Sequence, residues 1–359
     1  LHAPKNGFFY VIDRATGKMI SAEPFTNINW ATEVDLATGR PVEVPGARYE
    51  DGSELVVPGS MGAHNWPPMS FNPNTGLVYI PTIHQGNRYF DDWIDHPNWR
   101  SPNWNDSAPT DGTAVGYEIP SSADDVMIGS LQAWDPVNQK RVWEVPLPVA
   151  WNPGTLTTAG NLVFQGRADG DFVAYDAATG EVLWNQHMGV GIAAPPITYE
   201  IDGRQYVALL VGWGAAYAVV GPEVPALGWS YGAQTRRLVV FSLHGDADMP
   251  ALQPPAVPVP LDAPDFKVDE DLAVEGMKAY GQCGGCHGGF HAVSGGLAPD
   301  LRASSVVLSE SAFTEIVRGG ALRARGMPSY KALTDTHINA LRHYIRQQAE
   351  LGLAIQTER

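Results

Sequence analysis

Residues 283–287 read Cys-Gly-Gly-Cys-His, and this pentapeptide limits what the chain can be more than any other feature. Two cysteines three apart with a histidine beside the second is the spacing of covalent haem attachment. The thiols form thioethers with the porphyrin vinyl groups and the imidazole binds the iron. Cys283 and Cys286 are the only two cysteines of the 359 residues. A zinc site needs two further ligands nearby, and a thioredoxin-like redox pair needs a βαβ setting; neither is visible. The expectation is one covalent haem c at the C-terminal end, with Cys283 and Cys286 as anchors and His287 as an iron ligand.

A second axial ligand is expected. Met327 stands in Arg323-Ala-Arg-Gly-Met-Pro-Ser-Tyr330, where Gly326 and Pro328 keep the chain out of a helix. A methionine is more often core filler, but a Gly-Met-Pro loop before a final helix suits a thioether ligand, which raises the potential. His291, His337 and His343 are weaker rivals. Three helices should surround the haem. One is capped by Asp269 or Asp271 and carries Val274, Met277 and Tyr280. One is capped by Ser309 and ended by Gly319-Gly320. The last opens at Thr334 or Asp335, with Ile338, Leu341 and Ile345 on one face.

The rest of the chain has another character. Its 38 glycines, 29 prolines and 11 tryptophans favour many short strands joined by turns. The net charge is −16, of which −15 falls in the first 262 residues. An acidic body argues against nucleic acid or an anionic membrane surface as partner. No run of 18 apolar residues exists to span a membrane, and covalent haem implies export, so the sequence is expected to be that of a mature or truncated chain. Six prolines between residues 247 and 266 predict an extended tether running along the first domain, with a reach of roughly 60 Å. The divisions expected are 1–246, 247–266 and 267–359.

Within the first part a unit repeats. Phe172-Val-Ala-Tyr-Asp-Ala-Ala-Thr-Gly-Glu-Val-Leu-Trp184 has the form of Leu131-Gln-Ala-Trp-Asp-Pro-Val-Asn-Gln-Lys-Arg-Val-Trp143, and the aspartates Asp135 and Asp176 are 41 apart. Shorter copies begin at Asp13, Asp35 and Asn72. A period near 40, with Asp-led hairpins and a following Trp, predicts propeller blades of about four strands. The Asp should cap its own turn and the Trp should pack between blades.

These Asp-x-x-Thr-Gly-x-x-x-Trp repeats resemble the tryptophan-docking motifs of pyrroloquinoline quinone (PQQ) dehydrogenases. With a C-terminal cytochrome, the chain is similar to the quinohaemoprotein alcohol dehydrogenases over essentially its whole length. Residues 2–14, His64-Asn-Trp-Pro-Pro-Met-Ser-Phe-Asn-Pro73, Gly154–Gly166 and Val211-Gly-Trp-Gly214 carry the likeness. The resemblance implies an all-β, eight-bladed propeller, about half of it present here, followed by an α-helical cytochrome c domain. It also implies PQQ near the propeller axis with calcium or a lanthanide ion on the quinone. Hydride would pass from an alcohol to the quinone, and electrons would pass singly through haem c to an external acceptor: a small copper protein, a cytochrome or a quinone. The setting would be the periplasm. Lys5 would bond the quinone oxygens, Asn65 and Trp66 would contact its rim, and Gly212 and Trp213 would approach its carboxylates and the substrate side. Trp151 and Asn152 would line the alcohol pocket.

Taken singly, each of these has a plainer reading: a surface lysine, a turn before Pro-Pro, a bend after an apolar strand. The family's base Asp and its metal carboxylate have no counterpart here and are expected in an N-terminal propeller half, so the chain alone should be inactive. It would be either a fragment or a separate subunit. Asp91, Asp92, Asp95, Asp124 and Asp125 are not substitutes; they belong to a Trp- and Pro-rich insertion, about residues 84–128, expected to act as lid, funnel or docking surface. Three other functions compete. One is an electron-transfer cytochrome on a β scaffold without quinone chemistry. Another is a polymer-binding module, and the third a PQQ dehydrogenase for a polyol, sugar or polymeric alcohol. Lys5, Asn65 and Trp66 favour quinone chemistry.

Overall fold

The computed structural model describes residues 1–48, 54–90, 114–118, 128–213, 236–250, 258–288 and 298–357. They form two compact units, one of sheets and one of helices. His291, the five insertion aspartates and most of the Trp-rich insertion lie outside the described residues.

The sheet unit is a row of antiparallel sheets. Strands β1 (Phe8–Ile12) and β2 (Met19–Pro24) pair, as do β3 (Ala31–Asp35) and β4 (Arg40–Glu43). After β5 (Glu54–Val56) come β6 (Ser70–Asn72) and β7 (Leu77–Ile83). The insertion has a structured base: β8 (Gly86–Phe90) and β9 (Ala114–Glu118) pair, and β5 extends them to three strands. Strands β10 (Gly129–Asp135) and β11 (Lys140–Leu147) complete a four-stranded blade in the order β6-β7-β10-β11. A second blade follows without interruption, built from β12 (Thr155–Thr157), β13 (Leu162–Gly166), β14 (Asp171–Asp176) and β15 (Val182–His187). The last sheet has three strands, β16 (Ile197–Ile201), β17 (Arg204–Val211) and β18 (Arg237–Ser242).

Burial follows the expected radial order. Every residue of β7 is buried, whereas outer strand β15 is largely exposed. The innermost strands of the two complete blades meet through Ser70 Oγ and Thr155 Oγ1 at 2.7 Å. Apolar seams fill the space between neighbouring sheets: Leu77, Tyr79 and Leu131 against Val163, Val173 and Tyr175, and Phe172, Met188 and Ile192 against Val207, Leu209 and Val211. This is a partial propeller.

The repeated hairpins work as their sequence predicts. Asp13, Asp135 and Asp176 each accept on Oδ1 from the backbone N–H groups two and three residues on. Asp35 accepts from Ala37 N–H and Thr38 Oγ1–H, and Asn72 accepts from Asn74 N–H. The turns close with positive φ at Gly17, Gly39, Gly76 and Gly180, which suits glycine; Gln139 holds that place in the fifth. The tryptophans tie blades together. Trp143 stacks on Tyr79 at 5.7 Å and donates its indole N–H to Ala177 O at 3.1 Å, on the next blade's turn. Trp184 packs edge-on against Phe241 at 5.5 Å in the last sheet.

Among the described residues, one face of that last sheet carries exposed apolar side chains. Ile197, Ile201, Leu210, Leu238 and Val240 are all exposed, Leu238 to 63% and Ile197 to 58%. Register puts Ile197, Ala208 and Val240 in one row and Leu210 opposite Leu238. A contiguous apolar sheet face of this kind needs a covering layer.

In the helical unit, α1 (Glu270–His287) is capped by Asp269, whose side chain accepts from Leu272 N–H at 3.0 Å. Short helix α2 (Glu310–Thr314) is capped by Ser309 and runs into a wide turn over Glu315–Gly319, stopped by Gly320. Thr334 receives the His337 N–H at the start of α3 (Asp335–Thr357). Tyr280, Phe313, Val317, Ile338, Leu341, Tyr344 and Ile345 form the core. Val274 departs from expectation: it is 50% exposed, and Ala273 takes the buried place beside it. The helical face follows a 3.6 period, so a strict three-residue spacing drifts off it. The tether differs as well. Residues 258–266 lie on the helices, with Leu261 N–H donating to Arg302 O at 2.8 Å and Arg346 donating to Leu261 O at 2.7 Å. Arg346 is buried and needs a carbonyl acceptor, and Leu261 supplies it.

Candidate functional site

Two sites emerge, one in each unit. At the end of α1, the spacing of three and four puts Cys283, Cys286 and His287 on one helix face. Cys283 packs against the apolar core, and so does Met327. Burial pushes the Cys283 thiol up to about 12, with a smaller contribution from Cys286. His287 is buried, and burial lowers its pKa, so the ring is neutral at neutral pH. Its Nδ1–H donates to Pro299 O at 2.7 Å. That bond fixes the tautomer and leaves Nε2 with its lone pair free, the arrangement of a metal-binding imidazole. Tyr280 secures the same corner by donating its hydroxyl to Gly288 O at 3.0 Å.

Met327 sits half-buried in a loop that is firmly held. Tyr330 N–H donates to Val317 O at 2.8 Å, Ser329 Oγ–H to Arg318 O at 2.8 Å, and Met327 N–H to Leu322 O at 3.3 Å. The rival histidines are engaged elsewhere: His343 Nδ1 accepts from Asp269 N–H at 2.9 Å, and His337 caps its own helix. Two cysteines, a neutral imidazole with one free nitrogen and a thioether on the same apolar core fit a haem.

In the sheet unit the seven expected residues fall on one continuous path of contacts. Lys5 Nζ donates to Ser60 O at 3.0 Å, and Lys5 O accepts from Ala63 N–H at 2.9 Å. Next along that loop, Asn65 Nδ2–H donates to Met61 O at 2.9 Å and Asn65 Oδ1 accepts from Trp66 N–H at 2.9 Å. The Trp66 ring lies 5.4 Å from Trp151. Asn152 Oδ1 accepts from Ala168 N–H at 3.5 Å, and Ala168 O accepts the Trp213 indole N–H at 2.8 Å. Gly212 N–H donates to Gly191 O at 3.1 Å. Gly191 is glycine of necessity, since a Cβ there would fall on the Trp213 indole. Two features mark the path as a place for a ligand. Trp66 is 57% exposed, costly for a large indole unless something covers it. Trp151 is buried, yet its Nε1–H has no partner among the described residues; an orphaned buried donor usually awaits an acceptor. A planar, polyoxygenated quinone fits both.

One participant was missed by the sequence reading. His64 is buried, with Nδ1 2.5 Å from Ala3 O and Nε2 2.7 Å from Pro67 O, and it binds the Lys5 segment to the Asn65–Trp66 loop. Its place directly before Asn65 was the available signal. Among the described residues, no group of three or more His, Cys, Asp or Glu side chains could hold a metal ion.

Comparison with known proteins shows what both units are similar to. Residues 111–207 match the family described as glucose/ethanol/alcohol dehydrogenase, beta-propeller domain, and residues 273–345 match cytochrome C oxidase, cbb3-type, subunit III. Quinohemoprotein alcohol dehydrogenase ADH IIB of Pseudomonas putida is 46% identical over 96% of this chain and 49% of its own length. This chain is a homologue of the quinohaemoprotein alcohol dehydrogenases. The solved structure of quinohemoprotein alcohol dehydrogenase ADHIIG from Pseudomonas putida HK5 superposes with a TM-score of 0.77 at 38% identity, covering 97% of this chain and 51% of that one. The alcohol dehydrogenase (quinone), dehydrogenase subunit of Acetobacter aceti is 37% identical over 97% of this chain and 47% of its own length. The chain thus spans about half the length of these relatives, their C-terminal half.

Proposed function

We propose that this chain is the haem-bearing C-terminal half of a periplasmic quinohaemoprotein that oxidises alcohols. The observation that supports the proposal is the path of contacts from Lys5 through Trp66, Trp151 and Ala168 to Trp213, together with the indole N–H of Trp151, which is buried and has no partner among the described residues. When bound, PQQ supplies a two-electron acceptor for hydride. Lys5, held by Ser60, offers a fixed positive charge to the quinone oxygens and is worth most where negative charge develops. Asn65, held by Met61 O and Trp66 N–H, would border the quinone, and the paired rings of Trp66 and Trp151 would shield it from water. Trp213 and Gly212 would hold the carboxylate side, and Asn152 would line the alcohol pocket. In the helical unit Cys283 and Cys286 would anchor haem c and His287 and Met327 would hold its iron, and the haem would supply one-electron transfer. Electrons leave singly to a copper protein, a cytochrome or a quinone.

The base and the calcium or lanthanide ligands come, in this reading, from a propeller half that this chain does not contain. The exposed apolar face of β16–β18 is where such a half would pack. The chain by itself would then not oxidise alcohol. No described helix is long and apolar enough to cross a membrane. The test is the visible spectrum of the whole periplasmic protein with PQQ and calcium, before and after a primary alcohol. Growth of reduced haem c bands is the expected result. A haem that dithionite reduces and alcohol does not would sink the alcohol reading. Because the matched family's description includes glucose, the same experiment with a sugar or polyol tests the second reading.

A further inference from the structure

The whole chain carries −16, yet residues 318–331 read Arg-Gly-Gly-Ala-Leu-Arg-Ala-Arg-Gly-Met-Pro-Ser-Tyr-Lys. This stretch holds four cations and no anion, and Met327 lies within it. Arg318 is spent on structure, donating to Asp335 at 2.7 Å and to Leu333 O at 3.2 Å. Arg323, Arg325 and Lys331 are exposed, and none has an acidic partner within 4 Å among the described residues. Solvation alone explains a lone surface cation. It does not explain three uncompensated cations gathered on one loop of a protein whose acidic residues outnumber basic ones 39 to 23.

The loop is also preorganised. Arg325 N–H donates to Leu322 O at 2.9 Å and Gly326 N–H to Arg323 O at 3.0 Å, and Tyr330 and Ser329 tie the far side to Val317 and Arg318. The backbone that carries the cations is therefore held in place around Met327. Residues 1–262, which carry −15 of the net charge, repel anionic proteins, so the attraction is local to this loop. Beyond about 8 Å it fades at physiological salt, which focuses encounter on this loop and raises association rate more than affinity.

We propose that Arg323, Arg325 and Lys331 form the docking surface for an acidic one-electron acceptor protein. The proposal rests on the reading of Met327 as an axial ligand, which puts this loop at the haem. One electron passes from ferrous haem to the partner's metal; the iron becomes ferric, the partner is reduced by one electron, and no bond is made or broken.

The experiment uses the whole enzyme loaded with haem and PQQ, its haem pre-reduced, and mixes it in stopped flow with purified copper proteins of similar potential, one acidic and one near neutral. The acidic acceptor should oxidise the haem faster at low salt, and its rate constant should fall roughly tenfold or more as salt rises. The R323E/R325E variant should lose most of that rate and flatten or invert the salt slope, with R323Q/R325Q intermediate. Oxidation by the neutral acceptor, the haem spectrum and alcohol-driven haem reduction should stay as in the parent. The proposal is overturned if the charge-reversed variant stays within twofold of the parent with the acidic acceptor, or if both acceptors slow equally. It is also overturned if only alcohol-driven haem reduction slows, which would assign the cations to the enzyme's own acidic body. Loss of the far-red sulfur-to-iron band in Met327→Ala tests the ligand separately, so failure of that reading is told apart from failure of the docking surface.

Discussion

The two units solve the cofactor problem in opposite ways. The helical unit gathers its proposed haem residues from 45 consecutive positions, Cys283 to Met327, and packs the first and last of them on its own core. The sheet unit spreads its proposed quinone residues from Lys5 to Trp213, joins them by contacts between sheets, and exposes an apolar face among its described residues. A site made by one short segment can be complete within a fragment. A site at a propeller axis takes a residue or two from each blade, so it is only as complete as the ring.

The sharpest way to break this contrast is to remove the haem anchors. C283A/C286A should abolish covalent haem, read as loss of the haem stain on a denaturing gel. The helical unit should lose structure while the sheet unit keeps its near-ultraviolet tryptophan signal. Simultaneous collapse of both units would mean that they are not independent.

Gly191→Ala is next. The added methyl meets the Trp213 indole, so Trp213 must leave Ala168 O. This should cost about 3 kcal/mol, seen as a lower unfolding midpoint of the sheets, with the haem spectrum unchanged. Lys5→Ala should weaken PQQ binding roughly 10- to 100-fold, the worth of a hydrogen bond from a charged donor. Titration of quinone into the apoenzyme checks it, again without effect on the haem bands.

The smallest effect expected is with acid. Backbone N–H groups hold the Asp13 and Asp176 carboxyls below the usual range, and the Thr38 and Asn138 side chains are the first cause for Asp35 and Asp135. A lowered folded pKa means that the support is present above the unfolded value, near 4, and is lost as pH falls through the folded value. Between about pH 5 and pH 3 the sheet unit should therefore loosen, its tryptophan signal moving before α-helical circular dichroism does. Equal sensitivity of both signals would count against the Asp-capped hairpins as the acid-labile elements.

How much was legible in the sequence follows the same division. The haem motif, the caps Asp269 and Ser309 and the buried face of Ile338, Leu341 and Ile345 are local signals, and each was readable. The Asp-led turns and Trp143 were readable because they repeat. Val274 misled because a three-residue spacing imitates a helical face for only a turn or two. His64 gave only its place before Asn65, and the Ala168 carbonyl gave no signal: their roles depend on which carbonyl or indole the fold brings near. The landing of residues 258–266 on the helices depends on the need of Arg346 for an acceptor 85 positions away, which composition does not reveal.

The central proposal is that the haem ligands all lie in this chain and that the base and metal ligands of the quinone site do not. It is tested most directly by producing the chain in a haem-attaching periplasm, alone and together with the N-terminal half of a relative's propeller. PQQ, calcium and ethanol are then added to each, and the haem spectrum is followed. The account predicts a fully formed haem c in both, reduced by ethanol only when the second half is present. Reduction of the haem by ethanol in the chain alone would contradict it.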